Sequence, residues 1–116
     1  MRTGKHPCIE CPFRKQSMKG WLGPWKSAQE LLEHAFSELG LACHMQLDRA
    51  HEVGGAPVCT GSLVCANKSH KIYRDNELRK LQEKVKNDPG VLDAQGFLAH
   101  HKTRIQHVGR SYAKDT

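Results

Sequence analysis

Five cysteines, Cys8, Cys11, Cys43, Cys59 and Cys65, are the residues of this 116-residue chain whose type and spacing suit metal or redox chemistry. Cys8 and Cys11 form a C-x2-C pair, a spacing that lets two thiolates converge on one ion without strain. Such a pair supplies two ligands where four are usual. Cys43 and Cys59 are the expected completing ligands, because each flanks an element boundary from which a side chain can turn inward. Cys65 lies in the apolar run Leu63 to Ala66 and fits a buried structural cysteine as well as a ligand. Its C-x5-C relation to Cys59 keeps it in reserve, and His44, beside Cys43, is the other reserve. The expected ligand set is Cys8, Cys11, Cys43 and Cys59.

A thioredoxin-type dithiol is the competing use of C-x2-C, but it requires a strand leading into a helix N-terminus. Pro12 directly after Cys11, inside an irregular segment, does not supply that context. Structural zinc prefers two knuckles of paired ligands, and only Cys8 and Cys11 have knuckle form. A cubane accepts ligands from separate segments, and proline directly after a ligand cysteine recurs in cluster motifs. The expected cofactor is therefore a 4Fe–4S cluster, with Zn2+ as the alternative.

The run Cys8-x2-Cys11-Pro12-Phe13-Arg14, then Cys43-His44, then Cys59-Thr60-Gly61, resembles a family of short uncharacterised proteins of bacteriophages and some bacteria, patterned C-x2-C-P-F/W-R … C-H … C-x-G. The match covers residues 8–67, and it implies that Cys8, Cys11, Cys43 and Cys59 are the shared positions and Cys65 a peculiarity of this chain. There is a weaker similarity to the WhiB-like regulators, which hold a 4Fe–4S cluster on four cysteines. This chain departs from them in placing its C-x2-C pair first and in lacking their tryptophan–glycine turn after Cys59.

The net charge is +6, with a pI near 9.2, and it is uneven. Residues 1–26 carry six Lys/Arg against Glu10 alone, residues 68–86 carry seven against three acids, and residues 27–67 carry Arg49 against five acids. Basic blocks suit nucleic acid or an acidic protein surface. Arg14, Lys15, Lys19, Lys71 and Arg74 are the expected contacts. Trp21 and Trp25 mix aromatics into the first block, as base stacking would use, but anchoring in the core is the competing role for both. The sequence has no signal-peptide run, no apolar stretch of membrane length and an odd cysteine count, which together predict a cytoplasmic protein without a membrane segment. Phosphate-loop, nucleophile-elbow, H-E-x-x-H and paired-carboxylate motifs are missing, so no enzyme activity is expected. The expected function is a metal-centred, phage-type binding or regulatory protein that contacts nucleic acid or the transcription machinery. The alternatives are a zinc-stapled protein that binds and diverts a host protein, and a redox-sensing cluster protein.

The elements that must position these residues are helical. With 38% apolar and 6% aromatic residues, the core is modest and a metal staple is useful. Residues 1–26 are broken by proline and glycine and read as a long loop. Ser27 and Glu30 form a capping box for a helix over 27–39 that ends at Gly40. A second helix opens after Cys59, with Thr60 or Ser62 as its cap. Asp75 caps a third over 75–87, and a weaker pattern covers 91–101, where His100 and His101 read as a solvated helix end. The chain is expected to be mainly α, a small single domain of three or four short helices over 1–101 with a long N-terminal loop tied to the metal, followed by a basic tail over 102–116.

Overall fold

Helix caps written in the sequence decide where this chain becomes regular. The computed structural model describes residues 3–4, 6–7, 11–22, 25–43 and 57–102. The described chain is mainly α, with four short helices in a small domain: α1 (Ala28–Ala35), α2 (Thr60–Lys68), α3 (Asn76–Lys84) and α4 (Ala94–His100). The predicted tail beyond residue 102 and the Gly54-Gly55 loop lie outside the described residues.

At α1, Ser27 Oγ accepts from the Glu30 N–H at 3.1 Å, and Glu30 Oε1 accepts from the Lys26 N–H at 3.1 Å. The capping box thus closes with its return bond one residue early. Ala28, Leu31, Leu32 and Ala35 turn into the core. The helix stops at Ala35 and not at Leu39: Phe36 is its C-cap, and Ser37 Oγ donates to His34 O at 2.7 Å. The chain then turns at Gly40, whose φ of +74° suits glycine. A Cβ there would also come within 2.8 Å of Leu78 Cδ2.

α2 is the central element, buried from Thr60 to Ala66. Its N-cap is Cys59, not Thr60 or Ser62. Thr60 Oγ1 is engaged with Thr3 and Gly4, and Ser62 Oγ donates to Cys59 O, so neither hydroxyl serves as the cap. One side of α2 sends Val64 and Cys65 into a core with α1, α4 and the N-terminal loop; the other sends Leu63 and Ala66 into a core with α3. Buried Tyr73 joins them, donating its hydroxyl to Ala35 O at 2.6 Å.

α3 begins as predicted, with Asp75 Oδ2 accepting from the Leu78 N–H. It ends at Lys84, because Val85 is already extended with ψ 139°. α4 is capped by Asp93, whose Oδ1 accepts from the Gly96 N–H at 2.7 Å. Strand pairing among the described residues is limited to isolated bridges: Thr3 with Val58, Ala42 with Val58, and Arg14 with Val91. Among the described residues, no helix is long and apolar enough to cross a membrane.

Candidate metal centre

The irregular segment that carries Cys11 is held by the C-terminal part of the chain. Phe13 and Phe97 stack with ring centres 4.5 Å apart, and the Leu92 N–H donates to Phe13 O at 2.8 Å. The Lys15 N–H donates to Gly90 O, continuing the bridge at Arg14 and Val91. Arg14 Nη2 donates to Pro7 O at 2.8 Å, a bond between two residues that flank Cys8 and Cys11 in the sequence. Cys8 itself lies outside the described residues, as does His44.

His101 closes this clamp. It is 2% exposed, so the predicted solvated helix end is corrected at this residue. Its Nε2–H donates to Pro12 O at 2.7 Å, and its Nδ1 accepts from the Gly20 N–H at 2.9 Å. These two bonds assign the neutral tautomer with the proton on Nε2. Burial holds its pKa below the ordinary 6.5, against the opposing pull of the Pro12 bond. His100 joins the same network through Ser17.

Cys43 and Cys59 are placed by the bridge between Ala42 and Val58. The Cys43 N–H donates to Pro57 O and the Cys59 N–H to Leu41 O, which makes Ala42 and Val58 a non-hydrogen-bonded antiparallel pair. Alternation along both segments then puts Cys43 and Cys59 on the face opposite Val58. Both line one small cavity of about 80 Å3, with Gly4, His6, Pro57, Val58 and Thr60.

Cys11 and Cys59 meet directly: their sulfurs are 3.8 Å apart. Gly61, in the first turn of α2, makes the approach possible, because a Cβ there would collide with Cys11 Sγ and stand 3.2 Å from Phe13 Cβ. The N-terminal end of a helix carries partial positive charge, the right sign for a site built of thiolates. The described residues thus bring two of the four predicted ligands, Cys11 and Cys59, into contact and place a third, Cys43, on the cavity that Cys59 lines. Among the described residues no three His, Cys, Asp or Glu side chains converge as a group able to hold a metal.

Cys65 is fully buried in the core, and burial pushes its thiol up to about 12, so it is a neutral packing group at ordinary pH. Cys11, Cys43, Cys59 and Cys65 are all thiols and not disulfides. Two residues around the site carry no ligand atom and have little signal in the sequence. Gly61 was visible only as part of the C-x-G motif, and no local signal marks His101, whose partners are 89 and 81 residues away.

The predicted nucleic-acid contacts divide into two groups. Lys15, Lys19 and Arg74 have exposed side chains. Arg14 is used internally, and Lys71 pairs with Glu38 at 3.2 Å while lying over the Tyr73 ring. Backbone N–H groups of Asp75 and Arg74 also bond Glu38, and the Asp75 bond does most to hold its carboxyl below the usual range. Trp25 packs on the core and tilts against His34 at 4.8 Å, which makes it an anchor. No protein-family model matches the chain, and no curated protein or solved structure matches it either.

Proposed function

We propose that this chain is a small zinc-centred binding protein of regulatory type, in which Cys8, Cys11, Cys43 and Cys59 hold one ion and the basic outer surface contacts nucleic acid. The observation that carries the reading is the 3.8 Å separation of the Cys11 and Cys59 sulfurs. Two thiolates that share a tetrahedral zinc at about 2.3 Å stand roughly 3.8 Å apart, the edge of the tetrahedron. The thiolates of a cubane each bind a different iron, which spreads them farther. The separation therefore favours zinc over the 4Fe–4S cluster suggested by the ligand spacing. Cys8 enters through its C-x2-C relation to Cys11, and Cys43 through its place on the face shared with Cys59.

Bound zinc would supply cross-linking: it would join the N-terminal loop, the segment after α1 and the start of α2. Binding free energy at such a site is folding free energy. The chain's own residues supply the rest, with Gly61 leaving room for Cys11 and His101 holding Pro12 beside it. Of the predicted contacts, Lys15, Lys19 and Arg74 have exposed side chains available for phosphate. The proposed location is the cytoplasm, where thiols stay reduced.

Elemental analysis with a UV–visible spectrum on anaerobically purified protein tests the site. The expected result is one zinc per chain and a colourless sample. Brown protein containing iron would replace zinc with the cluster. A protein that binds neither metal, and whose melting is unchanged by a strong chelator, would overturn the reading. For the partner, nucleic-acid affinity should fall steeply with salt; a flat curve with retained binding to an acidic protein would redirect it.

A further inference from the structure

We infer that Cys11 and Cys59 form a redox-modification site, closing to a reversible disulfide when the protein meets a peroxide. The inference goes beyond the zinc reading, because it stands on the contact between the two sulfurs and requires no ion. Three features carry it. The sulfurs are already 3.8 Å apart although the residues are 48 positions apart in sequence, so forming an S–S bond of about 2.0 Å asks them to approach by roughly 1.8 Å. Gly61 places no Cβ against Cys11 Sγ, where one would collide.

The third feature is access. Cys11 and Cys59 are 0% and 3% exposed, too buried for a bulky oxidant. The cavity of about 80 Å3 reaches Cys59, with exposed Gly4 and His6 at its rim. A cavity needs roughly 10–15 Å3 of this kind to hold one water, so the space has room for a molecule as small as hydrogen peroxide. Cys59 is thus the sulfur that meets the oxidant, and Cys11 the one that resolves it.

The chemistry balances in two steps. The Cys59 thiolate attacks one peroxide oxygen and the O–O bond breaks. Cys59 becomes a sulfenic acid, and the departing hydroxide takes up a proton to leave as water. The Cys11 thiolate then attacks the Cys59 sulfur, forming the S–S bond and expelling the second hydroxide, which leaves as water with the proton from Cys11. Two thiols and one hydrogen peroxide give one disulfide and two waters. The sulfurs lose two electrons and the peroxide gains two. Any ion held by these sulfurs as thiolates loses two ligands at once.

The test uses the full chain as purified, with its metal content measured first. Stoichiometric hydrogen peroxide, alkylation of the remaining thiols, tryptic digestion and tandem mass spectrometry locate the bond. The expected product joins peptide His6–Arg14 to peptide Ala50–Lys68, fragments to Cys11 and Cys59, is reversed by dithiothreitol and exceeds any other cross-link several-fold. A Cys65→Ala variant should give the same product. Cys43 lines the same cavity and Cys8 shares a peptide with Cys11, so a dominant cross-link to either would overturn the assignment. Irreversible sulfinic acid at Cys59 without any cross-link would overturn it too. Protein that fails to bind added zinc yet closes Cys11 to Cys59 would refute the zinc reading alone, and zinc-binding protein that fails to close them would refute this inference alone.

Discussion

Gly61→Ala asks more of the candidate centre than deleting a ligand does. Gly61 has no positive φ, unlike Gly20 and Gly40, so alanine meets no backbone strain there. By helix propensity alone the change should stabilise α2 by about 1 kcal/mol. Its Cβ, however, would collide with Cys11 Sγ and press on Phe13 Cβ at 3.2 Å. Cys11 and Phe13 are both 0% exposed, and Phe13 is stacked on Phe97, so neither yields into solvent. Overpacking of this kind costs about 1–3 kcal/mol. The metal-free protein should therefore lose about 0–2 kcal/mol. Crowding a residue that orients a ligand weakens a metal site by about 10- to 100-fold, or roughly 1.4–2.7 kcal/mol at fixed zinc. At roughly 4–8 °C per kcal/mol for a domain of this size, the zinc-loaded melt should fall by about 6–38 °C. The assay is a competitive zinc titration beside thermal melts with and without chelator. Gly4→Ala is the control, since its Cβ would meet nothing closer than 3.5 Å. If Gly61→Ala bound zinc like the unsubstituted chain and melted higher, the placement of Cys11 over α2 would be refuted.

Burial of neutral His101 makes stability depend on pH. Its folded pKa is depressed, so the unfolded chain binds more protons below 6.5, and stability present above 6.5 is lost as pH falls through that value toward the folded pKa. One such group contributes a slope of up to about 1.4 kcal/mol per pH unit. Denaturant melts from pH 8 to pH 5 should show this component, and His101→Gln should remove it; an identical slope in the variant would refute the clamp. Cys65→Ala should leave zinc stoichiometry unchanged and cost about 1–2 kcal/mol through the small cavity it leaves, and loss of metal would instead make Cys65 a ligand. Replacing Lys15, Lys19 and Arg74 with alanine should each lower the salt slope of nucleic-acid binding by about one ion without changing the melt. Arg14→Ala should instead lower the melt, because its guanidinium holds Pro7 O.

The helix starts could be read from the sequence because an N-cap is a local device. Ser27, Asp75 and the stripe Leu31, Leu32 and Ala35 act within one or two turns, and α1 and α3 begin where these residues stand. The end of α1 combines a local bond with a distant one. Ser37 bonds back to His34 and Tyr73 reaches Ala35 from 38 residues away, so α1 closes earlier than its own periodicity predicts. The α2 cap shows the same principle from the other side. Thr60 carries the ordinary capping hydroxyl, but the chain near Thr3 and Gly4 takes it up, which leaves the capping position to Cys59 beside Cys11. Spacing alone could nominate Cys11 and Cys59, since a ligand's chemistry belongs to its residue type. It could not pair them, because the contact depends on an absent Cβ at Gly61 and on a loop held by Gly90, Leu92, Phe97 and His101. The placement of Cys11 against Cys59 therefore rests on residues that carry no sulfur and lie up to 90 positions from Cys11. A truncation that removes α4 and His101 should consequently loosen the Cys11 segment even though every cysteine is kept.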